Sequence, residues 1–150
     1  MRDEAGFTLI EVACVLAVVA LVATLALPAL PRGTSSARLE GYALQIAALL
    51  KSDRIAAIRR GTPVATWLDA DARTVRSGAS GAIVALPSDV SFDALLAERC
   101  GDRRVGSSID FFPSGESCGG TIAVARQGLG FQVRVNWLTG AVEVVSAAKS

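Results

Sequence analysis

The sequence contains no histidine in its 150 residues. Imidazole is the commonest general base near neutral pH and the commonest metal ligand, so its absence counts against hydrolytic and metal-centred chemistry. Charge of either sign gives little more: Lys plus Arg number 15 and Asp plus Glu 14, a net charge of +1. No excess draws this chain to nucleic acid or to an acidic substrate. Cysteines are few, and Cys14 lies inside an apolar run as a small lipid-compatible side chain. Cys100 and Cys118 remain, too few for a structural zinc site. In an oxidising compartment they are natural disulfide partners, closing a loop of about twenty residues worth roughly 3 kcal/mol; in a reducing one they stay free thiols.

What is abundant is apolar side chain, 51% of the residues, much of it near the start. Residues 7–27 read FTLIEVACVLAVVALVATLAL. As a helix rising about 1.5 Å per residue this run reaches roughly 32 Å, enough to cross a bilayer core. One charge interrupts it, Glu11. A carboxylate at such depth costs on the order of 2.5–3.5 kcal/mol and marks a functional position with a partner to be found; the alternative is an interfacial residue at the membrane edge. The flanks do not fit a secretory signal: MRDEAG is short and carries two acids beside Arg2, and Pro28 and Pro31 follow the run in place of a small-x-small cleavage site.

Gly6, Phe7, Thr8, Leu9, Ile10 and Glu11 together resemble the prepilin processing motif of type IV pilins and type II secretion pseudopilins. The resemblance implies that a membrane prepilin peptidase cuts between Gly6 and Phe7 and methylates the new Phe7 amine. Elementary chemistry agrees: glycine leaves the scissile backbone unobstructed. The cut also leaves an ammonium that Glu11 of a neighbouring subunit can pair with, fixing register because either charge alone is costly in a low dielectric. Glu11 is therefore expected to act in assembly.

Beyond the run, Pro28 and Pro31 should bend or interrupt the helix. A helical pattern then resumes, with Leu39, Tyr42, Ile46, Leu49 and Leu50 in an apolar stripe and Glu40, Gln45, Lys51 and Asp53 largely off it. Arg59, Arg60 and Gly61 form its predicted end. Residues 7–61 are read as one spine helix, membrane-spanning over 7–31 and amphipathic over 32–61, after a leader at 1–6. Residues 62–150 read as a β-rich head. Strands are predicted at 63–68, 73–76, 82–86, 108–112, 121–126 and 130–137, the last forming a hairpin with 142–145. Residues 87–104 are ambiguous, and 92–97 fit a strand or one helical turn. Trp67 and Trp137 are expected in the core.

Two further segments resemble the H-type minor pseudopilins of type II secretion and the related FimT-type minor pilins (the GspH/FimT family): IDFFPSGESCGG at 109–120 with WLTGAVEV at 137–144, and LLKSDRIAAIRRG at 49–61. This resemblance implies an α+β fold, a long N-terminal spine helix packed on an antiparallel, sandwich-like β head. It implies a minor pseudopilin in the secretion filament, partnered by other minor pseudopilins and the major pseudopilin. The subunit is expected in the inner membrane, single-pass, with its head in the periplasm; a minor type IV pilin is the alternative. No calcium-ligand cluster like that of the major pseudopilins is present, so no metal or other cofactor is expected. An enzymatic role is not expected either. Gly115, Ser117 and Gly119 fit the G-x-S-x-G pattern, but the serine lacks a histidine base and a strand pattern follows where a helix is required. Arg54, Arg59, Arg60, Arg73 and Arg76 could make a basic face, but read better as solvated charges, and nucleic acid is not an expected partner.

Overall fold

The computed structural model describes residues 8–26 and 33–148. The chain divides into two units, Met1–Gly33 and Thr34–Ser150. In the first, helix α1 covers Leu9–Ala26. Leu, Val and Ala dominate it on every side, and each described side chain from Thr8 to Thr24 is exposed. The predicted proline break at 28–31 lies outside the described residues.

The second unit begins with helix α2, Ser36–Arg60. Its start is set by Ser35, whose hydroxyl accepts from the Arg38 backbone N–H at 3.3 Å. Gly33, Thr34 and Ser35 are not helical, and α2 starts at Ser36. Gly61 ends it as predicted: at φ 65° its N–H reaches back to the Ala57 carbonyl. The buried face runs Leu39, Ala43, Ile46, Leu50, Asp53 and Ala57. Asp53, read from sequence as off the stripe, is instead fully buried within it.

Two four-stranded antiparallel sheets pack with this helix. Strands β1 (Val64–Asp69), β2 (Thr74–Arg76), β3 (Ile83–Ala85) and β7 (Ser108–Phe111) form the first, in the order β3-β2-β1-β7. Strands β4 (Ser91–Leu96), β8 (Gly120–Arg126), β9 (Leu129–Val135) and β10 (Val142–Ala148) form the second, in the order β10-β9-β8-β4. A small hairpin, β5 (Arg99–Cys100) with β6 (Arg103–Arg104), stands apart. The ambiguous stretch thus resolves as a strand, because Ser91–Leu96 pairs along its full length with β8. Alternation puts Val64, Leu68, Val75, Ile109, Phe111, Ile122, Val124, Val133 and Val135 inside, against Leu39, Ile46 and Leu50. Burying side chains of this size is worth roughly 1.5–3 kcal/mol each.

The tryptophan expectation fails. Trp67 is 53% and Trp137 66% exposed. Trp67 sits on the outward phase of β1, between buried Thr66 and Leu68. Trp137 lies beyond Val135, where β9 has already ended in the turn to β10.

Candidate functional site

The residues singled out for processing, Gly6 and Phe7, lie outside the described residues. Glu11 lies in the first turn of α1 with its side chain exposed. An apolar helix exposed all round is unstable in water and needs lipid or other helices about it. Among the described residues, no helix is long and apolar enough to cross a membrane. The 18 described residues of α1 reach about 27 Å, against a core of about 30 Å. The apolar sequence itself runs past both described ends, to Phe7 and Leu27.

Cys100 and Cys118 are joined in a disulfide, with Cα atoms 5.4 Å apart. It ties the β5–β6 hairpin to the loop entering β8. Ser117, the candidate nucleophile of the decoy motif, is engaged structurally. Its hydroxyl donates to the Asn136 carbonyl at 3.0 Å and accepts from the Gly119 N–H at 3.0 Å. Strand β8 follows it, with no elbow into a helix. Two of the arginines weighed for a basic face are tied to backbone carbonyls: the Arg54 Nε donates to the Gly115 carbonyl at 3.0 Å, and Arg60 donates to the Ala79 carbonyl at 3.2 Å.

Two polar clusters escaped the sequence reading. The first is centred on Asp53. Its carboxylate accepts from Thr66 Oγ1 at 2.7 Å, Ser77 Oγ at 2.5 Å, and the backbone N–H groups of Gly78 at 3.1 Å and Ala79 at 3.3 Å. It anchors the 77–81 loop to the helix. Gly78 fits because a Cβ there would collide with the Ala65 carbonyl oxygen. The signal was in the sequence: Asp53 follows Leu50 by three and precedes Ala57 by four, the spacing of the stripe itself.

The second cluster lies where the second unit begins. Thr34 donates to Asp89 through its N–H at 2.8 Å and its hydroxyl at 3.1 Å. Arg126 pairs with Asp89 at 2.8 Å and donates to the Thr34 carbonyl at 2.7 Å. The Thr34 backbone N–H is the largest influence on the Asp89 carboxyl, holding it below its ordinary value, with the Thr34 hydroxyl and Arg126 acting in the same direction against desolvation. Hairpin β8–β9 and the loop before β4 thus grip the first residue of the second unit. Nothing in local sequence joins positions 34, 89 and 126.

Comparison with known proteins bears on both units. Residues 1–27 match the family described as prokaryotic N-terminal methylation motif. The chain is 33% identical over 141 residues to type II secretion system protein H of Xanthomonas campestris pv. campestris, covering 94% of this chain and 83% of that protein. In fold it is similar to the minor pseudopilin EpsH of the Vibrio cholerae type 2 secretion system, with TM-score 0.57 and 16% identity, over 72% of this chain and 96% of that one. It is also similar to the type IV minor pilin FimU of Pseudomonas aeruginosa, with TM-score 0.52 and 17% identity, over 71% of this chain and 87% of that one.

Proposed function

Because the chain belongs to the family of type II secretion system protein H, we propose that it is a minor pseudopilin, a structural subunit that helps assemble the filament exporting folded proteins from the periplasm. The observation that carries this reading is a division of labour. Helix α1 exposes apolar side chains all round, while the unit from Thr34 onward has a closed core of its own. Such a helix is built to be surrounded by something outside its own chain, first lipid and then neighbouring subunits.

In this reading residues 1–6 are a leader that prepilin peptidase removes, and Phe7 becomes the methylated N-terminus. Residues 7–31 cross the inner membrane once and 32–61 carry the spine into the periplasm. The head, 62–150, stands in that oxidising compartment, which suits the Cys100–Cys118 bridge. Glu11 meets the Phe7 ammonium of an adjacent subunit and sets the stagger. The subunit acts by assembly with the other minor pseudopilins and the major one, and catalyses nothing.

The test is export. Exoenzyme activity is measured in culture supernatant and periplasm, in a strain lacking the gene and in its complemented parent. Activity trapped in the periplasm and released on complementation supports the reading. Normal export overturns it in favour of a minor pilin of a type IV pilus, for which twitching and DNA uptake are then measured.

A further inference from the structure

The outward face of the first sheet carries a feature that the spine and its core do not use. Register places Ile83 beside Arg76, Arg76 beside Trp67, and Trp67 beside Ser108, so one row crosses all four strands. Trp67 and Ile83 are each about half exposed, at 53% and 51%. The indole separates two depressions. One, of about 590 Å³, has Arg76 in its wall; the other, of about 180 Å³, has Arg104. Among the described residues neither Arg76 nor Arg104 makes a side-chain hydrogen bond or salt bridge, whereas Arg103 is committed to the buried Asp110 at 2.9 Å. That ion pair and the Cys100–Cys118 bridge hold the β5–β6 hairpin over β7, which keeps Arg104 beside the tryptophan.

A half-exposed tryptophan flanked by free guanidinium forks has the composition of a protein–protein anchor: a rigid apolar body, with bidentate donors on both sides. We infer that this face docks an acidic segment of another pilin-like subunit, its carboxylates on Arg76 and Arg104 and an apolar side chain against Trp67. The occupant follows from charge. Two free cations take two carboxylates, while a polyphosphate strand would need a longer basic track. Asp69 shares the Arg76 depression, but its carboxylate accepts from the Ala72 N–H at 2.8 Å. The inference rests on the chain being a filament subunit.

The test uses the full-length chain in cells with their own secretion system, carrying p-benzoylphenylalanine at Ile83, which leaves Trp67 and the arginines intact. Irradiation should give an adduct that mass spectrometry assigns to an acidic segment of another pilin-like subunit. Trp67→Ala, and separately Arg76→Glu with Arg104→Glu, should each lower its yield by about tenfold. Reversing the partner's acids to lysine should restore the yield with the Glu pair. Each variant is first checked for the Cys100–Cys118 bridge by non-reduced mobility, so that a misfolded head is not scored. No adduct, an adduct with lipid or nucleic acid, or a yield unmoved by the variants in bridged chains overturns the docking site. The gene deletion, assayed for export in parallel, reports on the pseudopilin reading separately: a secretion defect with unmoved cross-links sinks the docking site alone.

Discussion

Replacing buried Asp53 should do more harm than replacing Glu40, the other carboxylate of α2, and the size of the effect follows from its four contacts. All four partners are donors: two hydroxyls and two backbone N–H groups. In Asp53→Asn one oxygen becomes an NH2 that faces a hydroxyl and an amide. The hydroxyl can rotate and accept, but the Gly78 or Ala79 N–H cannot, and it is left facing another donor. An orphaned buried donor costs about 1–3 kcal/mol, and charge assistance to the remaining bonds is lost as well. Asp53→Asn should therefore destabilise the head by about 2–3 kcal/mol. Asp53→Ala, which strips every contact, should cost about 3–5 kcal/mol. For a head of this size each kcal/mol lowers Tm by roughly 3–5 °C, so the Asn variant should melt about 6–15 °C below the parent. Thermal and urea unfolding of the oxidised protein, followed by near-UV circular dichroism, measures this directly. An Asn variant within about 0.5 kcal/mol of the parent would refute the reasoning, because it would mean that water or loop rearrangement satisfies the donors without the carboxylate.

Other outcomes follow from the remaining contacts. Glu11→Gln should leave cleavage after Gly6 intact, read as the mature mass with a methylated Phe7, while sharply reducing filament assembly; normal assembly would dismiss the register role. Cys100→Ser with Cys118→Ser should lower stability by about 2–4 kcal/mol in urea titration, with the loss confined to non-reducing conditions. Asp89 has its carboxyl held below the ordinary 3.8, so its contribution is complete above that value and fades as pH falls through the lower native value. The stability gap between the parent and Asp89→Asn should accordingly be constant from neutral pH down to about pH 5 and close in stronger acid; a gap that widens on acidification would contradict the assignment. Gly140, at φ 62°, would drive a Cβ into the Gly115 carbonyl and to 2.7 Å from Arg54 Nε. Gly140→Ala should thus destabilise by about 1–3 kcal/mol, visible as a lower urea midpoint.

Sequence alone determined what depends on near neighbours. The apolar run with its single Glu11, the α2 stripe, the Gly61 cap and the β9–β10 hairpin all declare themselves within a few residues, because helix phase, caps and tight turns are local physics. Family resemblance at residues 6–11 and 109–120 likewise pointed to a pilin-like fold before any coordinate. Tertiary structure decided what depends on the opposing surface. Ser91–Leu96 is a strand because β8 offers it a full ladder, which no local propensity reveals. Asp53 looked solvent-facing because it is charged, yet Thr66, Ser77 and the 77–81 loop, distant in sequence, gather their donors around it and make its burial tolerable. Trp67 looked like core because it is large. It faces outward because its neighbours Thr66 and Leu68 occupy the inward phase, and a strand can show only alternate residues to its core.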